Sequence, residues 1–140
     1  MAAHFKQGEL LDNPYLWRWQ HVRGETAGRK ERPVCLAIAV LKTRDTHLFL
    51  LAVTSTPPTP DRIAVPIPQI EARRGGLNDW KQGWVIVDEY NHDIAERSFH
   101  LDATRGSRGR FSEAFMDTVK GKFRDAILSG ATKRIDRIER

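Results

Sequence analysis

Arg32 stands between a polar, glycine-containing loop and an apolar run, and a guanidinium there presents a planar fork that fits two phosphate oxygens. The same group also suits an ion pair with Glu31 or Glu89. Thr54 and Ser55 close a second apolar run, where their hydroxyls either donate to an anionic oxygen or satisfy the turn that follows. Glu89 ends a third run: desolvated, its carboxyl rises in pKa and suits proton transfer, and exposed it is a solvated or paired carboxylate. His21 is a candidate acid or base by residue type, with a plain surface histidine as the alternative. Trp17 and Trp19, together with Trp80 and Trp84, offer faces on which unpaired bases stack, although two or more of the four are expected in a core or an interface. Arg29 and Lys30 add two cations to the loop before Arg32. His92, Glu96 and His100 share one helical spacing, but Ile94, Ser98 and Phe99 do not support a helix there, so neither a metal site nor a cofactor is expected.

These residues need a scaffold, and 140 residues with 40% apolar content suit one compact domain. The alternation of Tyr15, Trp17, Trp19 and His21 predicts a first strand over 15–23, followed by a mobile loop over 24–32. Pro33 opens an apolar run to Leu41 that reads as a strand buried on both faces, and a turn at 42–45 returns the chain into a strand over 46–55. The two prolines of residues 63–68 confine that segment to a sheet edge, Gly75-Gly76 mark a turn, 84–90 reads as a fourth good strand, and 98–101 adds a short one. Ser112 caps a helix over 113–128 whose apolar face carries Phe115, Val119, Phe123 and Ile127, with Met116 and Ala126 beside them. The expected fold is mainly β with a C-terminal helix, a small barrel over 1–129 with a basic tail over 130–140, frayed or disordered.

The net charge of +5 is confined to the end of the chain: residues 1–104 hold 13 basic and 13 acidic side chains, whereas 105–140 hold 10 and 5. That surplus suits a polyanionic partner or, equally, a solvated helix face. Cys35 is the sole cysteine, which excludes an internal disulfide and a four-cysteine zinc site, and it reads as a small buried thiol. No apolar run approaches the roughly 20 residues that cross a bilayer, and the first residues lack the apolar stretch of a cleaved signal, so a cytoplasmic protein without membrane association is expected.

At Arg32-Pro33-Val34-Cys35-Leu36, preceded by the Gly24 to Gly28 loop and followed by a hairpin ending in Val53-Thr54-Ser55, the chain resembles the MazF/PemK family of toxin components. The resemblance spans roughly Gly8 to Leu128 in the order of elements. It implies an SH3-like barrel of the MazF/PemK/CcdB kind and a cytoplasmic homodimer. It also implies metal-independent cleavage of single-stranded RNA and neutralisation by a short antitoxin peptide. On that reading Arg32 steadies the scissile phosphate, Thr54 or Ser55 assists, and Glu89 or His21 handles protons, while Arg29, Lys30, Trp17 and Trp19 grip the RNA. Where many members run into a Gln-Ile-Arg-like stretch this chain has Val87-Asp88-Glu89-Tyr90-Asn91-His92, which motivates an alternative: a non-catalytic binding toxin or adaptor on the same barrel, acting on a protein or RNA. A third reading is RNA binding through the basic residues of 105–140.

Overall fold

The computed structural model describes residues 5–26, 28, 30–98 and 106–137. Its centre is the expected hairpin of β2 (Arg32–Lys42) and β3 (Asp45–Thr54), which follow β1 (Glu9–Asn13). β2 and β3 pair antiparallel from Val34↔Ala52 to Lys42↔Asp45, and Thr43 closes the two-residue turn at φ 63°, the left-handed conformation that a tight hairpin needs. The register slips between Leu36 and Ile38, so Ala37 is an extra residue that bends β2 and helps the sheet to curl. β2 is buried on both faces as expected from Pro33 to Ala37, but Val40 and Leu41 lie beyond the bend and are exposed.

The sheet grows outward from this hairpin. β1 lines the other side of β2, with β7 (Gly109–Arg110) beyond it. The outer side of β3 is shared: β6 (Glu89–Ile94) pairs with His47–Leu50, and β5 (Trp84–Ile86) pairs with Val53–Thr54. The proline-bearing segment forms β4 (Ala64–Pro66) at the sheet edge. The single strand expected over 84–90 is thus two strands, broken at Val87-Asp88.

Alternation along the strands builds a core on each sheet face. Leu10, Cys35, Ala37, Leu51 and Val53 face the helix α3 (Glu113–Leu128), and Leu11, Val34, Leu36, Leu50 and Ala52 pack with Tyr15 on the opposite side. Ser112 caps α3 by accepting from the Phe115 N–H at 3.2 Å, while its own N–H and hydroxyl donate to the buried Glu71 carboxylate at 2.8 Å each. Glu71 belongs to α2 (Gln69–Arg74), a six-residue helix too short for periodicity to reveal. Phe115, Val119 and Phe123 are buried, but Ile127 is 46% exposed: a step of four residues overshoots a helical turn, so the row drifts off the packed face. Cys35 is fully buried, and its desolvated thiol is pushed up to about 12, which keeps it protonated.

Two expectations fail. Residues 15–23 are not a strand: Pro14 follows the end of β1, and Arg18–Val22 form the short helix α1. The backbone that a strand would pair is served by side chains instead. Asn91 accepts from the Leu16 N–H at 3.0 Å and donates to its carbonyl at 2.8 Å, Gln20 accepts from the Trp17 N–H, and Glu89 accepts from the Arg18 N–H. Nor is the tail frayed over 133–136, where β8 (Lys133–Asp136) runs parallel to β6 and Ile135 is completely buried. The short strand expected over 98–101 starts at Ser98, which is not in a strand, and its other residues lie outside the described ones. Among the described residues no helix is long and apolar enough to cross a membrane.

The docking of β8 sets the first test. Ile135→Ala should cost about 2–5 kcal/mol in urea unfolding, the range for truncating a buried aliphatic side chain; a change within about 0.5 kcal/mol would mean the segment is not packed.

Candidate functional site

The segment leading into α1, α1 itself and the entrance to β2 form an open cleft of about 270 Å³ lined by Tyr15, Trp17, Trp19, Gln20, Lys30 and Arg32. The Arg32 guanidinium lies 5.0 Å from the centroid of the Trp17 ring, and Trp17 in turn meets Tyr15 edge to face at 5.1 Å. Partial burial draws the Arg32 pKa below its ordinary value, opposed by the Tyr15 hydroxyl. The group stays a cation under any biological condition, but one already stripped of part of its water. Trp19 is 45% exposed, with the Arg23 guanidinium 5.3 Å from its ring centroid. Four residues singled out from the sequence therefore meet in one place, while Arg29 lies outside the described residues.

The other candidates sit elsewhere. Thr54 ends β3 and pairs with Trp84; its hydroxyl accepts from the Thr56 N–H at 3.1 Å, the turn-satisfying alternative. The β2–β3 register, continued past its last pair at Val34↔Ala52, sets Thr54 level with Arg32, so both mark the same end of the hairpin although Thr54 does not line the cleft. Ser55 is exposed next to it, and its carbonyl accepts from the Gln82 amide at 3.4 Å. His21 is exposed on α1, outside the cleft. Trp80 packs partly buried against the core, and Trp84 is half-buried in β5, which leaves Trp17 and Trp19 as the cleft's indoles.

Glu89 is 3% exposed and reaches the cleft only through Tyr15. Its carboxylate accepts from the Tyr15 hydroxyl at 3.1 Å, the Arg18 N–H at 3.0 Å and Arg62 at 2.8 Å. Burial raises its pKa, and these three partners work against that rise. Tyr15 is raised well above its ordinary value, by burial first and then by the Glu89 charge, so the phenol stays protonated and donates. Arg62 also grips Asp88 with two nitrogens, between 2.7 and 3.1 Å, and these bonds raise its own pKa. Of the two carboxylates considered as partners of Arg32, Glu89 is thus paired with Arg62.

A second cleft of about 510 Å³ opens on the other side of α1, between Arg18, Trp19, Val22, Arg23, Arg62, Asp88, Glu89, Ala131 and Lys133. Farther along β6, the buried His92 joins two elements: its Nε2 lies 2.8 Å from His47 Nδ1, and its Nδ1 lies 2.8 Å from Asp136 Oδ1 and 3.0 Å from Arg134 Nη2. Burial lowers the His92 pKa, against the pull of Asp136. Glu96 accepts from the Thr46 N–H and hydroxyl at 2.7 and 2.8 Å, and His100 lies outside the described residues, so the spacing noted in the sequence does not become a helical set. Neither Arg62 nor the His47–His92–Asp136 chain was foreseen. Their partners come from β3, β6 and β8, and no local pattern announces them.

Comparison with family models, with curated proteins and with solved structures finds no match.

Two tests follow from these networks. Arg62→Met strips Asp88 and Glu89 of their shared cation and should destabilise the fold by about 3 kcal/mol, with part of the loss recovered in Arg62→Met/Glu89→Gln; equal stability of all three proteins in urea would show the pair to be idle. Above the ordinary histidine value of 6.5, His92 is neutral whether the chain is folded or not. Below it the unfolded chain takes a proton that the folded chain resists, so stability falls with acid. Asp136, lowered from 3.8, adds its own loss only at more acidic pH, and Glu89, raised from 4.5, acts in the opposite sense. Between pH 7 and pH 5 the wild-type midpoint should therefore drop more than that of His92→Gln, and parallel pH profiles would refute the assignment.

Proposed function

We propose that the chain is the toxin component of a type II toxin–antitoxin pair, a metal-independent endoribonuclease that takes single-stranded RNA at the Arg32 cleft. The observation that carries this reading is the convergence of Arg32, Lys30, Trp17 and Trp19 on one open cleft, a cation fork and a second cation beside two indole faces. That is the equipment a single strand requires: phosphates are held by charge and bases by stacking. The order of elements adds support, because the Arg-Pro strand opening and the Thr-Ser strand end come to the same end of one hairpin. On this reading the curled sheet with its C-terminal helix is an SH3-like barrel of the MazF/PemK/CcdB kind, and the protein acts in the cytoplasm as a homodimer held in check by an antitoxin peptide.

Cleavage without a metal needs a base for the 2′-hydroxyl, an acid for the leaving oxygen and a cation for the charge that builds on phosphorus. Arg32 supplies the last. Tyr15, a buried residue of the cleft wall, donates to the Glu89 carboxylate, whose pKa is raised, and on this reading it is the link between that carboxylate and the cleft. A second reading, a binding toxin or adaptor without catalysis, is favoured by one observation: Glu89 is held by three donors and Thr54 by its own turn, so neither lines the cleft.

Purified protein incubated with mixed-sequence single-stranded RNA in EDTA should leave cyclic phosphate ends. Arg32→Ala should slow the cutting about a hundredfold or more, the usual cost of losing a donor to developing charge, and Thr54→Ala beside it reports whether the strand end contributes. RNA bound but left intact would favour the second reading. Cutting that is unchanged in Arg32→Ala would overturn the assigned mechanism.

A further inference from the structure

We propose that Gln20 is the base reader of the Arg32 cleft, and that the nucleobase it selects carries a ring carbonyl, O4 of uracil or O6 of guanine, where cytosine and adenine carry an amine. The inference rests on the reading of that cleft as an RNA site and names the bases it takes. Gln20 lines the cleft yet is only 3% exposed, so its amide lies in the wall rather than on the rim. Its Oε1 accepts from the Trp17 N–H at 3.0 Å, which closes the first turn of α1. Among the described residues nothing accepts from the Nε2 of the same amide. A donor so nearly buried calls for an acceptor, and the cleft is the space from which one can come.

The orientation of the amide decides which bases suit it. A backbone N–H can only donate, so Trp17 fixes the amide oxygen on the helix side and leaves the Nε2 hydrogens for a ligand. A glutamate at this place would make the same cap; the amide differs in adding those hydrogens. The other polar side chains of the cleft agree. Arg32 and Lys30 only donate, and Tyr15, 1% exposed, gives its hydroxyl proton to Glu89. The usual pairing of glutamine with adenine needs both amide atoms, the oxygen on the exocyclic amine and the nitrogen on a ring acceptor. At Gln20 the oxygen is taken, so an exocyclic amine meets another donor, whereas a carbonyl in the same place accepts. The volume of about 270 Å³ suits a single base, with Arg32 and Lys30 left for the phosphates on either side of it.

The test measures binding, so it does not depend on catalysis. The probes are short 2′-O-methyl oligoribonucleotides of a single base, which lack the 2′-hydroxyl nucleophile and are read by fluorescence anisotropy in lithium buffer. They form two pairs, uridine against cytidine and inosine against adenosine, and within each pair a carbonyl and its ring N–H are exchanged for an amine and a bare ring nitrogen. In the wild type the carbonyl member of each pair should bind more tightly by about tenfold, the equivalent of one hydrogen bond. Gln20→Glu keeps the oxygen that caps Trp17 and turns the other amide atom into an acceptor, so the preference should reverse toward cytidine and adenosine. In Gln20→Met both ratios should fall to about one. Loosening of α1 alone would weaken all four probes together and leave the ratios as they are, which separates base reading from a structural role. If Arg32→Ala weakens every probe while the wild-type ratios are near one, or while Gln20→Glu keeps the wild-type preference, the base reader is refuted and the RNA site survives. If no probe binds the wild type, both fall.

Discussion

A carboxylate taken out of water needs partners, and the three of Glu89 come from two distant stretches of chain that no periodic pattern links: the Tyr15 hydroxyl and the Arg18 N–H from one, the Arg62 guanidinium from the other. The bond to Arg18 matters most for the site. A five-residue helix has no stability of its own in water, so α1 persists only because its backbone is held from outside. Once it is held, Trp17 is directed at Arg32 on one side and Trp19 stands between the two clefts on the other. Both clefts therefore depend on the buried polar groups of β6, Glu89 at Arg18 and Asn91 at Leu16, that hold this segment in place.

The rest of β6 repeats this logic on both faces. Glu89 and Asn91 are two residues apart and turn the same way, toward the segment after β1, where Asn91 makes two bonds to the Leu16 backbone and accepts from Arg137 at 2.8 Å. Tyr90 and His92 turn the other way, where Tyr90 packs on Phe49 and Phe123 and His92 binds His47 and Asp136. A strand with so few aliphatic residues stays buried because its polar groups are paired on each side. At His92 Nδ1 the pairing is contested, since Asp136 requires a ring N–H and Arg134 requires a lone pair. The two demands call for opposite tautomers, and each sets which nitrogen of His47 donates.

What was legible in the sequence was what local pattern determines. Val34 to Leu41 and its return strand, the proline-marked edge and the cap at Ser112 depend on neighbours within a few residues, and each forms as expected. The aromatic alternation at Tyr15 to His21 misled because a period of two describes only where side chains would point if the backbone were extended. Asn91 and Glu89, more than seventy residues away, claim that backbone instead. The cleft was half legible: Arg32, Lys30, Trp17 and Trp19 declared themselves by type, whereas Arg62, which keeps Glu89 from pairing with Arg32, sits in a loop and gave no sign. β8 escaped because one buried side chain, Ile135, is all its apolar content, too little for any window to register.

The basic surplus of the C-terminal part is best understood through these contacts. Taken as a sum it suits a tail that binds polyanions, but the described residues distribute it differently. Arg137 is buried and donates to the Pro14 carbonyl and Asn91, while Arg134 is engaged with Asp136 and His92. Lys120 donates to Gln7 at 3.1 Å, and Arg108 lies 3.7 Å from Asp12. Arg134 and Arg108 thus lie beside carboxylates that offset their field, while Arg137 and Lys120 fasten the last strand and helix through bonds to neutral groups. Lys133 is the residue of β8 that reaches a cleft, and it does so beside Arg18 and Arg23 from α1, far from them in sequence. The cations of the larger cleft are thus brought together from distant parts of the sequence, and the packing of Ile135 holds β8, and Lys133 with it, beside α1.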